Sequence, residues 1–347
     1  MKRTGLLVAC TLALPLITLG VRAEEPIVLR LATFTPSTHI GVKYGDNILM
    51  ADATERSQGR VKFEFYPAEQ LGKANQLLDL VKVGVIDIAE VPTGVASDKL
   101  PLLGVLDLPG KIQSSCEGAS IMRSMGKPGG FIYENEYAPN GIRVLSYHVY
   151  PPYVPSASRR PITRVEDLHG LKYRNAGGAM AMSIATLGGV PVKMASPEVM
   201  QSLARGTLDS MMSSYLSVVD YDLYEAAKYG VTGYSLGTPG VFAVMSERKF
   251  QSLPADIQQV LVEAGIKSEQ SFCNHAEQAE KAAMAQVQEA GMTIYSWTDE
   301  QKATLDKLLV NVPLDWAHSL DRKGRPGSEV LNAFERELLA RRSTALQ

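Results

Sequence analysis

Cysteine and histidine are scarce in this chain of 347 residues, which contains three cysteines and five histidines. The histidines are scattered, and none has other metal-ligating side chains beside it at the spacing typical of a metal site. They are His39, His148, His169, His275 and His318. The sequence therefore predicts neither a metal site nor a cofactor.

Motifs of nucleotide binding and of nucleophilic catalysis are also absent. The glycines of GGAMAMSIATLGG (177–189) lack the GxGxxG spacing and the lysine of a P-loop. Ser213 and Ser214 lie in MMSSY, which is not the glycine-flanked elbow that presents a catalytic serine. These absences disfavour an enzyme, and a secreted enzyme stays only as an alternative.

Long apolar runs are confined to the start of the chain. Lys2 and Arg3 precede LLVACTLALPLITLG (6–20), which is too short for a membrane span and ends near small residues. This pattern predicts a cleavable signal peptide over 1–23 and a periplasmic mature chain that starts near Glu24. No later stretch reaches the ~18–20 apolar residues that span a bilayer.

The same leader permits a second reading as a lipoprotein signal. LVAC (7–10) fits a lipoprotein cleavage box, which would make Cys10 a lipidated N-terminus. That cut would leave hardly any apolar segment before it, so the cleavable signal peptide is favoured.

The chain also has no excess of basic over acidic residues. The chain has 35 basic and 37 acidic residues, and removing Lys2, Arg3 and Arg22 with the leader leaves 32 against 37. Proteins that bind nucleic acids usually display a basic patch or stripe. Nucleic acid is therefore not an expected partner.

Two cysteines remain in the mature chain, Cys116 and Cys273. An oxidising compartment permits a bridge between them. Their separation of 157 residues says nothing about their proximity, and two separate buried thiols are an equal alternative.

The length and the pattern of the mature chain predict two α/β domains. Strand-like and helix-like segments alternate, which is typical of a parallel sheet covered by helices. In the first unit these segments are PIVLRLATF (26–34), 42–57, RVKFEFYP (60–67), 75–84 and VIDIAEVP (85–92). A second unit follows the proline-rich strand at 142–158.

Arg174 ends the strand-like segment LKYRN and is followed by Gly177 and Gly178. Ligands of open α/β sheets collect at the carboxyl ends of the strands. The planar guanidinium binds a carboxylate through two parallel hydrogen bonds, which lysine cannot do. Arg174 is therefore a candidate ligand anchor, and a structural salt bridge is the alternative.

Three blocks in order resemble the periplasmic solute-binding proteins of TRAP transporters, the DctP family. They are SQGRVKFEFYPAEQLGKANQLLDLVKVGVIDIA (57–89), the stretch 161–210 with PITRVEDLHGLKYRN and LGGVPVKMASPEVMQSLARGTLDS, and LDRKGRPGSEVL (320–331). The resemblance covers nearly the whole mature chain. Several blocks in the same order are more specific than any single motif.

This resemblance implies a type II-like, two-domain α/β fold in which each lobe is a mixed sheet covered by helices. Hinge strands and a long helix would join the lobes. The expected lobes are 24–151 plus 237–256 and 152–236 plus 257–347. The resemblance also implies a receptor that closes over a small organic acid and delivers it to a TRAP permease with small and large membrane subunits. Arg174 would hold the ligand carboxylate.

The chain departs from the family pattern at two positions. Many sialic-acid and dicarboxylate binders carry a second arginine where this chain has Val154, and often an asparagine where it has Ser213. Fewer polar anchors are therefore expected, which disfavours sialic acid. The other candidate ligand-binding residues of the second lobe and the hinge are Tyr150, Tyr153, Ser214 and Tyr215.

Four candidates belong to the first lobe: Phe34, His39, Lys73 and Glu90. Lys73 would hold a second anionic group, whereas Glu90 would hold an amine, with the tyrosines as a cation–π wall. The alternatives are a solvated lysine, a surface glutamate and tyrosines that only pack at the hinge. A receptor for an amine or zwitterion therefore stands beside the organic-acid receptor.

Overall fold

The computed structural model describes residues 25–345. The predicted signal peptide (1–23) and Cys10 lie outside the described residues. Within residues 25–345, no helix is both long and apolar enough to cross a membrane.

The strands of the described chain form two sheets. In chain order they are β1 (Ile27–Ala32), β2 (Val61–Tyr66), β3 (Ile88–Pro92), β4 (Ile142–Val149), β5 (Val154–Ala157), β6 (Lys172–Asn175), β7 (Val190–Lys193), β8 (Ser210–Ser213), β9 (Tyr229–Thr232), β10 (Gly240–Ser246) and β11 (Thr293–Ser296).

The α-helices cover both sheets. They are α1 (Asn47–Arg56), α2 (Leu77–Lys82), α3 (Ser115–Gly126), α4 (Met180–Thr186), α5 (Val199–Arg205), α6 (Tyr215–Asp220), α7 (Glu247–Gln251), α8 (Ala255–Glu289), α9 (Asp299–Leu309), α10 (Val312–Asp321) and α11 (Gly327–Ala345). Short π-helical turns lie at Val42–Asp46 and Tyr133–Tyr137, and 3₁₀ turns at Pro101–Asp107, Val165–Leu168, Ser196–Glu198 and Leu223–Glu225.

The first sheet has the strand order β2-β1-β3-β10-β4. β1 pairs in parallel with β2 and β3, as the alternating pattern predicts. β10 pairs antiparallel with β3 and β4, so the complete sheet is mixed.

The second sheet has the order β11-β9-β5-β8-β6-β7. β6 lies between β7 and β8 and is parallel to both, whereas β5 is antiparallel to β8 and β9. Two mixed sheets covered by helices confirm the predicted fold class.

The chain crosses between the sheets from β4 to β5 and returns from β9 to β10. Helix α8, with 35 residues, packs along both units: Leu261 lies in the core of the first sheet and Phe272 in that of the second. Gly265 allows this helix to approach the first sheet, since a Cβ there would overlap the backbone carbonyl of Leu145. The predicted long helix thus contributes side chains to the cores of both units.

The last two helices return to the first sheet. Trp316 of α10 and Phe334 of α11 are buried in the same core as Tyr147 of β4 and Met122 of α3. Helices α10 and α11 therefore lie on the first sheet, although the predicted division places 257–347 with the second lobe. The lobe boundaries themselves stay a prediction.

Cys116 of α3 and Cys273 of α8 form a disulfide. The pairing that the sequence left open is thus present in the fold, where it links α3 of the first unit to the long helix α8.

Candidate functional site

A narrow cleft lies between the two sheets. Loops after strands of both sheets form its walls, as the rule for open α/β sheets predicts. Its lining comprises Phe34, Thr35, His39, Pro92, Gly94, Val95, Tyr150, Tyr153, Arg174, Ala176, Ala195, Ser196, Ser217, Tyr221, Pro239, Gly240 and Val241. Five of the predicted site residues meet here: Phe34, His39, Tyr150, Tyr153 and Arg174.

Arg174 lies on β6, between β7 and β8, and is only 4% exposed. Its guanidinium donates to the carbonyls of Met194 (2.9 Å) and Met212 (3.3 Å) and to the Ser196 hydroxyl (3.1 Å). No carboxylate of residues 25–345 forms an ion pair with it. These neutral acceptors fix the orientation of the guanidinium and supply no opposite charge, so its charge stays available for an anion.

Hydroxyl groups surround this charge. Burial raises the pKa of Tyr153, and the Arg174 charge and a hydrogen bond with Ser217 oppose that rise. Burial also raises the pKa of Tyr221. Tyr153 and Tyr221 therefore stay neutral at physiological pH, and each keeps a hydroxyl proton that it can donate near Arg174.

Ser217 and Tyr221, which belong to α6 and its C-terminal end, were missed by the sequence analysis. Helix α6 directly follows β8, whose neighbour in the sheet is β6 with Arg174. The rule that ligand groups follow the carboxyl ends of adjacent strands would have found this segment.

Aromatic rings form much of the remaining wall. The His39 ring lies 6.0 Å from that of Tyr150 and 5.3 Å from that of Tyr221, measured between centroids. Tyr150 in turn packs on Phe272 of α8 at 5.0 Å. The cleft thus combines one cationic end with a wall suited to a flat, apolar body.

His39 joins the two sides of the cleft as a neutral ring. Its Nδ1 accepts from the Gly41 amide at 3.0 Å, so Nε2 carries the proton and faces Asp220 Oδ2 at 3.4 Å. Burial lowers the pKa of His39 to about 3 and raises that of Asp220 to about 6. His39 therefore adds a polar link across the cleft but no positive charge.

The two units also touch directly at the rim of the cleft. Lys193 Nζ contacts Asp98 at 2.9 Å and Ser97 at 3.1 Å. Behind this pair, the Gly94 backbone meets Ala176, and a Cβ added at Gly94 would lie 2.7 Å from the Ala176 carbonyl oxygen. In this structure the two units therefore touch each other across the rim of the cleft.

The structure places the other predicted site residues outside the cleft lining. Lys73 is exposed in a separate groove with Glu69 and Asp98. Tyr215 donates to the Val231 carbonyl at 2.9 Å and lines another cavity, which Val154 shares.

The remaining three serve local structure or lie beneath the cleft. Ser213 donates to the Ser214 carbonyl at 3.2 Å, and Ser214 caps α6 by accepting from the Ser217 amide. Glu90 is 2% exposed, and burial raises its pKa to about 8. Glu90 is thus a buried group rather than a surface strand end.

The model of the DctP family, described as bacterial extracellular solute-binding protein, family 7, matches residues 31–314. A solute-binding protein of Albidiferax ferrireducens is 27% identical over 251 residues, which cover 72% of this chain and 73% of that protein.

Solved structures show the same fold. A marine metagenome TRAP solute-binding protein, co-crystallised with 3-hydroxybenzoate, has a TM-score of 0.83 at 23% identity and covers 91% of this chain and 99% of its own. A TRAP solute-binding protein of Rhodoferax ferrireducens with copurified benzoate has a TM-score of 0.79 at 22% identity, with coverages of 92% and 99%. The family match and the shared fold confirm the resemblance read from the sequence blocks, and this chain belongs to the DctP family of bacterial extracellular solute-binding proteins.

Proposed function

We propose that this protein is the extracytoplasmic receptor of a TRAP transporter and that it binds a small organic acid with one carboxylate and a flat, apolar body. The observation that carries the proposal is the isolated charge of Arg174. Among the described residues that line the cleft, Arg174 is the only lysine or arginine, and none is aspartate or glutamate. A second ligand carboxylate would have no cationic partner there.

Arg174 holds the carboxylate in this proposal, and Tyr153, Ser217 and Tyr221 donate to it or to a neighbouring polar group. The aromatic wall takes the body of the acid. The benzoate and 3-hydroxybenzoate bound to the two structural neighbours have this chemistry. The protein would act in the periplasm after removal of residues 1–23 and would deliver the acid to the small and large membrane subunits of a TRAP permease.

Ligand binding would favour closure because the acid contacts both sides of the cleft only when they meet. A ligand shifts such an equilibrium by no more than its differential affinity for the two states. Arg174 and Tyr221 belong to one side, whereas Phe34 and His39 belong to the other. The contacts of His39 with Asp220 and of Lys193 with Asp98 would add to the stability of the closed state.

The cleft gives less support to a receptor for an amine. A cationic ligand needs a carboxylate or an aromatic cage free of competing positive charge. Glu90, the predicted amine partner, does not line the cleft, and Arg174 would repel the ligand.

A thermal-shift series tests the ligand class. We expect benzoate-like monocarboxylates to raise Tm by several degrees at ~100 times Kd, since native-state binding at that ratio adds about 2.7 kcal/mol. Phthalate or succinate should give smaller shifts, and the neutral benzamide and cationic benzylamine none. A shift with benzylamine but not with any acid would refute the proposal. Acid recovered chemically unchanged after prolonged incubation would argue against a secreted enzyme.

The close approach at Gly94 gives a second test. In Gly94→Ala the new methyl group would press on the Ala176 backbone only when the cleft is closed. Overpacking of this kind costs about 1–3 kcal/mol, so we expect affinity for the bound acid to fall about 5- to 150-fold. Calorimetric titration measures this loss, and Tm without ligand serves as the control. Unchanged affinity would show that closure does not bring these backbones together.

A further inference from the structure

Three buried side chains meet beneath the cleft, on the side of the first sheet. Asp46 ends the π-helical turn Val42–Asp46, Glu90 lies on β3 and His148 on β4. They are 1%, 2% and 1% exposed, and one ligand atom from each lies within 4.8 Å of the other two. A π-helical turn often marks a functional position because it redirects a side chain.

Each carboxyl group of this cluster has one oxygen without a partner. Asp46 Oδ1 and Glu90 Oε1 have no hydrogen-bond partner in the described part of the chain. Within residues 25–345, neither carboxyl group forms an ion pair with a lysine or arginine. The His148 ring approaches Glu90, with 3.3 Å between Nδ1 and Oε2. Buried carboxyl groups are normally paired, protonated or bound to a metal ion.

The hydrogen bonds of His148 indicate which of its ring nitrogens carries the proton. Ser268 of α8 donates its proton to the Gly45 carbonyl at 2.9 Å, so its oxygen accepts from His148 Nε2, also at 2.9 Å. Ser146 adds a contact to Nε2 at 2.8 Å. In the neutral ring Nδ1 is then an acceptor that points at other acceptors, so either a metal ion or a carboxyl proton must lie between them.

The spacing fits a small divalent cation. Zinc binds histidine nitrogen and carboxylate oxygen at ~2.0–2.2 Å, so two ligands at a tetrahedral angle lie ~3.4 Å apart. The observed 3.3 Å between His148 Nδ1 and Glu90 Oε2 matches this value. A hydrogen bond from the second ring nitrogen to a neighbouring polar group, as Ser268 supplies here, is the usual support of a metal-ligating histidine.

We propose that Asp46, Glu90 and His148 bind one divalent transition-metal ion, with Zn²⁺ as the best match to one imidazole and two carboxylates. The ion links the π-helical turn to β3 and β4. The hydrogen bond between His148 and Ser268 extends this link to α8. Gly45 makes room for the imidazole, since a Cβ there would lie 2.5 Å from His148 Cε1. The role is structural and does not depend on the ligand proposed for the cleft.

Because the cluster is buried, the ion must enter as the chain folds, and the test uses refolding. Untagged full-length mature protein with its disulfide intact is unfolded in guanidinium with a chelator. It is then refolded either with the chelator or with a small excess of Zn²⁺, and desalted. We expect one zinc per chain by elemental analysis after refolding with zinc, and a Tm several degrees above that of the chelator-refolded sample.

Variants locate the ion. Glu90→Gln, which keeps the side-chain shape, and Asp46→Asn should each lose the stoichiometric zinc and the zinc-dependent rise in Tm. His275→Gln, at an exposed histidine of α8, should keep both. Wild-type protein that retains no zinc and has the same Tm in both refolding conditions would overturn the proposal and assign the cluster to a shared proton. Zinc retained equally in all variants would place the ion elsewhere and would also overturn it.

Discussion

Replacing Arg174 with alanine is expected to weaken binding of the cognate acid by roughly 10²–10⁴-fold, about 3–5 kcal/mol. The ligand carboxylate would be buried in the closed cleft, and no other lysine or arginine among the described lining residues could replace the guanidinium. The loss would greatly exceed that of a surface ion pair, since solvent does not screen a dehydrated charge. Calorimetric titration with the acid that gives the largest thermal shift measures it.

Two further variants test whether binding depends on the charge of Arg174 alone, on the shape of its guanidinium and on its position in the cleft. Arg174→Lys keeps the charge but not the planar fork, so we expect an intermediate loss. Arg164→Ala, at a side chain that is 69% exposed, should bind like the wild type. Since Arg174 also holds the carbonyls of Met194 and Met212, Tm without ligand must be measured for each variant. Wild-type affinity in Arg174→Ala would remove the anchor assignment.

Removing the disulfide is expected to cause the largest loss of stability. The bridge closes a loop between residues 157 positions apart, and for a loop of this length the chain-entropy model predicts ~5 kcal/mol. We therefore expect the double variant Cys116→Ser/Cys273→Ser to lose about 2–5 kcal/mol of unfolding free energy. Denaturant unfolding followed by circular dichroism measures the difference.

The fold itself should survive this change. Arg123 of α3 still reaches Glu269 of α8 at 2.6 Å, and the Cys116 amide still donates to Glu277 at 3.0 Å. Reduction of the wild type should reproduce the loss, whereas a reductant should leave the double variant unchanged. A loss below ~1 kcal/mol would mean that these contacts alone hold α3 against α8.

The sequence was most informative where function follows from local order along the chain. Arg174, at the end of a strand before a glycine turn, lines the cleft, as do Phe34 and His39, which follow β1. Ser217 and Tyr221 were missed because the candidates in this part of the chain stop at Tyr215, the first residue of α6. Lys73, the predicted partner of a second anionic group, lines a different groove.

The sequence by itself determined the α/β class and the family, since these depend on periodicity and on short ordered motifs, whereas the export signal and the anchor role of Arg174 stay predictions. The tertiary structure decided which distant residues meet. It paired Cys116 with Cys273 and placed Glu90, the predicted amine partner, in a buried position outside the cleft lining. It also brought His148 against Asp46 and Glu90, although no two of them are closer than 44 positions in the chain. Such contacts arise from the packing of sheets against helix α8, and no local pattern of residues encodes them.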